Sequence, residues 1–192
     1  LNQYQFTIEE NTSFDHAVAL DPELLGKVFE NLLASYNEET KKTARKELGA
    51  FYTPRNIVAF MCREGLKGYL KSSDINLDDK AIERFVDDRD ISSIPKSEAA
   101  QVMVCLRNVT VLDPACGSGA YLLGMMQELL DLQSMLVSGD LLDEPEDLHK
   151  FKMDIIQRNV YGADLDEFAV NTAMLRLWLV EQRKLLKFLM KI

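Results

Sequence analysis

The sequence predicts an α/β fold that is rich in helix, with a helical amino-terminal region followed by the first strands of a parallel sheet. Apolar residues at helical spacing dominate the first 107 residues. Two short apolar stretches, 109–112 and 160–163, are each followed by an acidic residue and then by a helical pattern. Because right-handed β-α-β connections join parallel strands, we expect these two strands to run parallel.

Helix-start signals place the first two helices. Asp21-Pro22 joins a capping side chain to a proline suited to the first helical turn, and the apolar spacing after it predicts a helix to about Tyr36. A polar, charged stretch follows at 37–47. Thr53-Pro54 repeats the start signal, and the next helix is expected to reach about Leu70.

Two more helices complete the amino-terminal region. A short helix is expected at 79–87, within an otherwise charged segment. Pro95 opens another that ends at about Leu106. Its buried side is expected to contain Val102, Met103, Cys105 and Leu106.

The second half alternates strand and helix. The strand at 109–112 is apolar and β-branched, as expected for a strand covered on both faces. Helices are expected at 119–137 and 143–158, so the segment 138–157 is an extra helical insertion before the second strand. Asp166 is the expected cap of a final helix. We expect the apolar residues of that helix to be core, namely Met174, Leu175, Leu177, Trp178 and Leu179.

Composition sets limits on the function. The chain has 192 residues, 47% of them hydrophobic, and carries a formal net charge of −9 with a pI near 4.8. An acidic chain is poorly suited to hold a DNA backbone by itself. The basic run at 41–46 has two open interpretations: a solvated helix face, or a segment near DNA in a full-length enzyme.

Cysteine and histidine usage indicates neither disulfides nor a metal site. The three cysteines are odd in number and form no C-x-x-C motif, which fits a reducing cytoplasm. Cys62 and Cys105 lie in apolar helical patterns and are expected in the core. His16 and His149 share no metal-ligand spacing. With no basic leader and no long apolar run, we expect a cytoplasmic protein without a membrane span.

The most informative segment is the glycine loop, residues 113–119, with the sequence D-P-A-C-G-S-G. A glycine turn between a strand and a helix lets a ligand approach the backbone at the positive helix end. The loop lacks the Gly-Lys-Ser/Thr of a phosphate-binding loop, and Leu122 replaces the third glycine of a dinucleotide fingerprint. It resembles motif I of S-adenosylmethionine-dependent, N6-adenine DNA methyltransferases.

Two further segments match that family in the order that it uses. Residues 49–54, G-A-F-Y-T-P, resemble its motif X, and residues 161–166, Y-G-A-D-L-D, resemble motif II before a helix that contains LRLWL. Residues 1–48 are similar to the helical lead-in of type IIG restriction–modification and phage-defence methyltransferases. The resemblance implies a helical region at 1–107 carrying motif X and a truncated Rossmann-like methyltransferase domain at 108–192. It identifies the chain as an amino-terminal fragment of a type IIG or IIS enzyme.

The resemblance implies an S-adenosylmethionine site around the glycine loop. In the family, the equivalent of Asp113 favours the cofactor ammonium and the carbonyl of Ala115 accepts a hydrogen bond from it. Gly117 and Gly119 leave room for the ligand. Cys116 lies in the same loop. A catalytic thiol is the alternative for Cys116, and Asp113 has the alternative of simply capping the turn.

Motifs II and X supply the remaining expected cofactor residues. The two oxygens of Asp164 are expected to accept both ribose hydroxyls, and Leu165 to pack on the adenine. Asp164 has the alternative of capping the last helix, although Asp166 is better placed to do so. The motif X residues are expected to close over the methionine end of the cofactor: Tyr52, Thr53 and Pro54. Tyr52 has plain core as its alternative.

The family's catalytic N-P-P-Y motif is absent, because the chain contains no Pro-Pro. We therefore expect no catalytic residue here, no metal, and no methylation by this chain alone. The intact enzyme is expected to bind double-stranded DNA through other regions. The alternatives are an RNA or protein-glutamine acceptor, and a non-catalytic binding or interaction module. We expect an exposed strand edge, or apolar surface left uncovered, to allow self-association.

Overall fold

The computed structural model describes residues 53–143, 145 and 147–189, with only the backbone for 181–189, and four isolated sites before them. Gly26 and Val28 are helical, as predicted for 21–36, and the rest of that helix lies outside the described residues. Tyr36, which marks the approximate end predicted for that helix, belongs to β1 (Tyr36–Asn37), and this strand pairs antiparallel with β2 (Lys42–Thr43).

The described elements follow the predicted order of helices and strands. Helix α2 has the predicted bounds, and α4 begins directly after Gly119 as expected. The structure has α1 (Arg55–Lys71), α2 (Asp79–Asp87), a 3₁₀ turn (Ile91–Ser93), α3 (Lys96–Asn108), β3 (Val111–Asp113), α4 (Ala120–Ser138), α5 (Leu148–Arg158), β4 (Val160–Gly162) and α6 (Glu167–Leu189).

Aspartate caps set three of the helix starts. Asp78 accepts a hydrogen bond from the Ala81 N–H at the start of α2, and Asp166 accepts one from the Phe168 N–H at the start of α6, as predicted. The predicted start of α5 at 143 is wrong. Asp147 caps this helix by accepting from the Lys150 N–H, so α5 begins five residues later.

One hydrophobic core contains residues from each of the helices α1 through α5, and α4 lies at its centre. The buried side of α3 is confirmed, and Cys62 and Cys105 are buried as predicted. Asn159, also buried, donates to the carbonyl oxygens of Leu106 and Val109 and so joins the end of α5 to the end of α3. The residues that are fully enclosed include Phe85, Ala99, Leu106, Leu129, Leu132, Leu136 and Ile155.

The two strands predicted from the apolar stretches are parallel neighbours, as expected. Val111 pairs with Val160 and Asp113 with Gly162. Both α4 and α5 lie between them in sequence, which confirms the extra helix of the insertion. The pairing continues past the strands, because the Ala163 N–H donates to the Asp113 carbonyl. This continuation brings the segments that follow the two strands together.

Two burial predictions are wrong in this half of the chain. The strands are not covered on both faces, since Leu112 is 64% exposed. In α6, Met174, Leu175 and Trp178 are exposed rather than core, whereas Leu177 and Leu179 are partly buried. The buried side of that helix is formed instead by Ala169, Thr172, Ala173 and Arg176. Among the described residues, these apolar side chains therefore stay exposed.

Among the described residues, no helix combines the length and apolar character that crossing a membrane requires.

Candidate functional site

The candidate site lies where β3 and β4 end. Asp113 is the last residue of β3, and Asp164 follows the end of β4 by two residues. Because the strands are parallel and in register, the glycine loop after β3 lies beside the segment that contains Asp164. Open α/β sheets bind their ligands at this edge, outside the carboxyl ends of the strands.

The two glycines that give the loop its shape have different surroundings. Gly117 has φ +51° and Gly119 has φ +83°, so both occupy the left-handed region that favours glycine. A Cβ on Gly119 would lie 2.9 Å from the Cβ of Ala173 in α6, whereas a Cβ on Gly117 would meet nothing within 4 Å. Gly119 is therefore a packing glycine, and Gly117 borders open space that a ligand can enter.

Asp113 has the turn-capping contact that the sequence left open. One of its carboxylate oxygens, Oδ1, accepts a hydrogen bond of 3.1 Å from the Ala115 N–H. The side chain is partly exposed, and Ala115 is exposed. Capping the turn and facing a ligand are compatible roles, because a carboxylate has further acceptor positions.

Asp164 connects the second strand directly to the glycine loop. Its Oδ2 accepts a hydrogen bond of 2.8 Å from the Gly117 N–H, and its Oδ1 accepts one of 2.9 Å from the Asp166 N–H. The side chain of Asp166 caps α6, so Asp164 is not needed for that role. The next residue, Leu165, is fully exposed at 106%. An apolar side chain in that position suits contact with a flat apolar group.

Cys116 lies beneath the loop rather than on its surface. It is buried, and its Sγ is 3.0 Å from where a Cβ on Gly162 would lie. Burial raises the pKa of the Cys116 thiol, and the carboxylates of Asp113 and Asp164 raise it further. Because the thiolate is the nucleophile, a raised pKa counts against the catalytic alternative for this residue.

The described part of motif X, Thr53 and Pro54, leads into α1. Pro54 is the residue before α1, and its carbonyl accepts hydrogen bonds from the first turn, including one of 2.9 Å from the Ile57 N–H. Thr53 lines a cleft together with Ala120, the first residue of α4. Ala120 directly follows the glycine loop, so this cleft extends to the start of α4, while Tyr52 lies outside the described residues.

Helices α1 and α4 pack closely against each other. A Cβ on Gly124 would lie 2.5 Å from the Val58 side chain, so only glycine allows this approach. Glu128, nearly buried on α4, pairs with Arg63 at 3.2 Å and also with Arg89. Burial, with a smaller effect of the Glu128 carboxylate, raises the pKa of the neighbouring Cys62 to about 11.

One residue that contacts the loop, Arg176, was missed from the sequence. Arg176, 7% exposed on α6, donates from Nη1 to the carbonyl oxygen of Ser118 at 2.6 Å and to its Oγ at 2.9 Å. The pair is separated by 58 positions, which no local pattern links. The available signal was an arginine inside the apolar run LRLWL. Among the described residues, no group of His, Cys, Asp or Glu is placed to hold a metal.

These features define the chain as a helix-rich α/β domain with a glycine loop and a candidate ligand site at its strand ends. Comparison with known proteins gives the family. The family described as MmeI, DNA-methyltransferase domain, matches residues 91–191, and the chain belongs to that family. This confirms the DNA-methyltransferase family that the three sequence motifs predicted.

A relative from Methanocaldococcus jannaschii is named as a type II restriction enzyme and methyltransferase. It is 32% identical over an alignment of 188 positions. That alignment covers 93% of this chain and 15% of the relative, so the chain spans a small part of the relative's length. No solved structure matches the chain.

Proposed function

We propose that this chain is the cofactor-binding part of an adenine-N6 DNA methyltransferase in a type II restriction–modification enzyme, with S-adenosylmethionine as the methyl donor. The observation that carries the proposal is the hydrogen bond from the Gly117 N–H to Asp164, which unites the motif I and motif II segments in one site. The family membership supports methyl transfer, the motif order supports adenine, and the name of the relative supports restriction–modification.

The residues at the strand ends fit this cofactor chemically. Asp113 and Asp164 place two carboxylates near a ligand that carries a sulfonium and an ammonium charge. The open space at Gly117 admits a ligand against bare backbone. The exposed side chain of Leu165 offers an apolar surface for an adenine ring. Acceptor groups, space and charge therefore all suit the same molecule.

Each residue has a definite task in this proposal. Asp164 accepts the ribose hydroxyls with the lone pairs that its backbone contacts leave unused. Asp113 attracts the ammonium while its Oδ1 continues to hold the turn, and the carbonyl of Ala115 accepts from that ammonium. Leu165 packs on the adenine, and Thr53 and Pro54 border the methionine end.

Holding the donor is the part of methyl transfer that these residues perform. The bound cofactor supplies a methyl group already activated by its sulfonium, so the protein must hold it, align the acceptor amine and exclude water. Alignment of a flipped adenine is the task of the N-P-P-Y motif, which this chain lacks. We propose that regions outside this chain supply that motif and the DNA contacts, since the chain itself carries a net charge of −9.

Calorimetry with S-adenosylmethionine tests the cofactor site through a matched pair of variants. Asp164→Asn removes the charge and one acceptor oxygen, and we expect about 10- to 100-fold weaker binding, the effect of losing a charge-assisted hydrogen bond. Asp166→Asn is the control, because asparagine caps a helix as well as aspartate does. Equal affinities for the two variants would contradict the proposed role of Asp164.

A methylation assay tests the division of labour. The chain incubated with methyl-labelled S-adenosylmethionine and unmethylated DNA should transfer no label, whereas an intact protein that contains this domain should label adenine. Label entering adenine with the chain alone would show that an N-P-P-Y motif is unnecessary. Label transferred by the intact protein to RNA or to protein glutamine would favour the other acceptors.

A non-catalytic role is favoured by one observation, the exposed apolar side chains of Leu112, Met174 and Trp178. Native mass spectrometry that shows a stable protein partner, together with calorimetry that shows no cofactor binding, would support an interaction module. Self-association through the strand edge remains a prediction, and gel filtration at two protein concentrations tests it.

A further inference from the structure

Arg176 is a buried charged side chain that contacts the glycine loop directly. Its Nη1 donates to both oxygens of Ser118, the residue between the two left-handed glycines. Arg176 is 7% exposed and Ser118 is 8% exposed. Burying a guanidinium is costly unless it makes good hydrogen bonds. The contact between Arg176 and Ser118 is therefore a buried, hydrogen-bonded interaction and not a loose contact at the surface.

The glycine loop needs support from outside itself. Glycines lose more conformational freedom on folding than other residues, and two of them here occupy positive φ. Two peptide groups of the loop, with one peptide between them, are each held from the motif II side. The Gly117 N–H is fixed by Asp164, and the Ser118 carbonyl is fixed by Arg176. A donor and an acceptor in sequence are thus both satisfied, which restricts rotation of the peptide between them.

One face of α6 provides this support. Ala173 contacts Gly119, and Arg176 lies three positions further on, so the two share a helix face. Gly26 encloses the guanidinium from the amino-terminal helix, because a Cβ there would lie 2.7 Å from the Arg176 Cζ. The charge is therefore enclosed between the loop and a distant part of the sequence.

We infer that Arg176 is a positioning residue that holds the glycine loop in the shape needed to bind the cofactor. This inference rests on the proposed function for the cofactor itself, but the holding of the loop is measurable without any ligand. Arg176 acts through Ser118. A loop released from Arg176 must be ordered when the ligand binds, and that ordering lowers affinity.

The test compares three variants with the wild-type chain at a temperature where circular dichroism shows all four fully folded. Arg176→Ala removes the contact, and Arg176→Lys keeps one charged donor. Lys152→Met is the matched control, because Lys152 is a cation 2% exposed whose Nζ donates at 2.5 Å to the Val180 carbonyl of the same helix α6, away from the loop. Hydrogen exchange is measured at the amides of Gly117 and Gly119, and S-adenosylmethionine affinity is measured by calorimetry.

We expect Arg176→Ala to speed exchange of the two loop amides and to weaken cofactor binding, each by about tenfold or more, the worth of a charge-assisted hydrogen bond. Arg176→Lys should recover part of both effects, and Lys152→Met should show neither. Loop exchange in Arg176→Ala that equals the exchange in Lys152→Met would overturn the inference, as would unchanged affinity. If the wild-type chain binds no cofactor, the proposed function fails, and the exchange comparison still decides whether Arg176 holds the loop.

Discussion

The helical part of the molecule buries its apolar residues, whereas the end that carries the candidate site leaves several of them exposed. Across α2 to α5, residues at helical spacing are enclosed, as Phe85, Leu129 and Ile155 show. Around the site, Leu112 of β3 and Trp178 of α6 are 64% and 54% exposed. The first two turns of α1 follow the same pattern, with Ile57, Phe60 and Met61 exposed.

The buried apolar residues stabilise the fold of the chain, whereas the exposed ones remain available for contact with other groups. The helical core packs α1 to α5 together, so it can hold α1, α4 and the strands in fixed positions. The strand ends are held by backbone contacts and by α6, while the surface around them stays open. A rigid scaffold that presents an open polar loop is the usual arrangement of a binding site.

Removing the same side chain from the two regions should give the largest contrast. Met103→Ala empties a position that is 2% exposed in α3, and it should cost about 2–5 kcal/mol of unfolding free energy. Met174→Ala removes a side chain that is 64% exposed in α6, and it should change stability by less than about 0.5 kcal/mol. Urea denaturation measures both. A comparable loss at Met174 would show that the open region is packed in solution.

Two glycines within the site distinguish its packed side from its open side. Gly119→Ala introduces a positive-φ alanine that collides with Ala173, and it should cost about 3 kcal/mol of unfolding free energy. Gly117→Ala has the same kind of backbone strain without a collision and should cost about 1 kcal/mol. Thermal or urea unfolding measures the difference. Equal costs would mean that α6 does not rest on Gly119.

The closed region should also show a pH dependence that comes from Cys62. Folding raises the pKa of this thiol from 9.0 to about 11, so the unfolded chain loses its proton first as the pH rises. Stability should therefore be intact below pH 9 and fall by roughly 1 kcal/mol per pH unit between about pH 9 and 11. Urea denaturation of wild type and Cys62→Ala over this range isolates the effect. Parallel pH profiles for the two proteins would contradict it.

Local chemistry made much of the fold predictable. The start of α2 and the cap of α6 follow from single side chains, Asp78 and Asp166, which act within three residues of themselves. The start of α5 was predicted too early because the acidic segment before it offers several capping candidates. The apolar residues around Trp178 were predicted to be core, but an apolar pattern carries no information on whether another element covers those residues.

The site was predictable to a similar extent. The sequence indicated Asp113, Asp164 and the glycines, because a strand, an acid and a glycine turn form a local pattern. It could not indicate that Asp164 bonds to the loop itself, or that Arg176 reaches Ser118, because those contacts depend on how α6 packs. The shared cleft of Thr53 and Ala120 is of the same kind, since it depends on the close approach of Val58 in α1 to Gly124 in α4.

Chemical-shift mapping tests the central claim, that the ends of β3 and β4 form a cofactor site. The chain labelled with ¹⁵N would be titrated with S-adenosylmethionine, and its amide resonances followed. The account predicts the largest shifts at the amides of Ala115, Gly117, Gly119 and Leu165, with a further shift at Thr53. The amide of His149, in the exposed first turn of α5, should not shift. Shifts concentrated elsewhere, or no shift at saturating ligand, would contradict it.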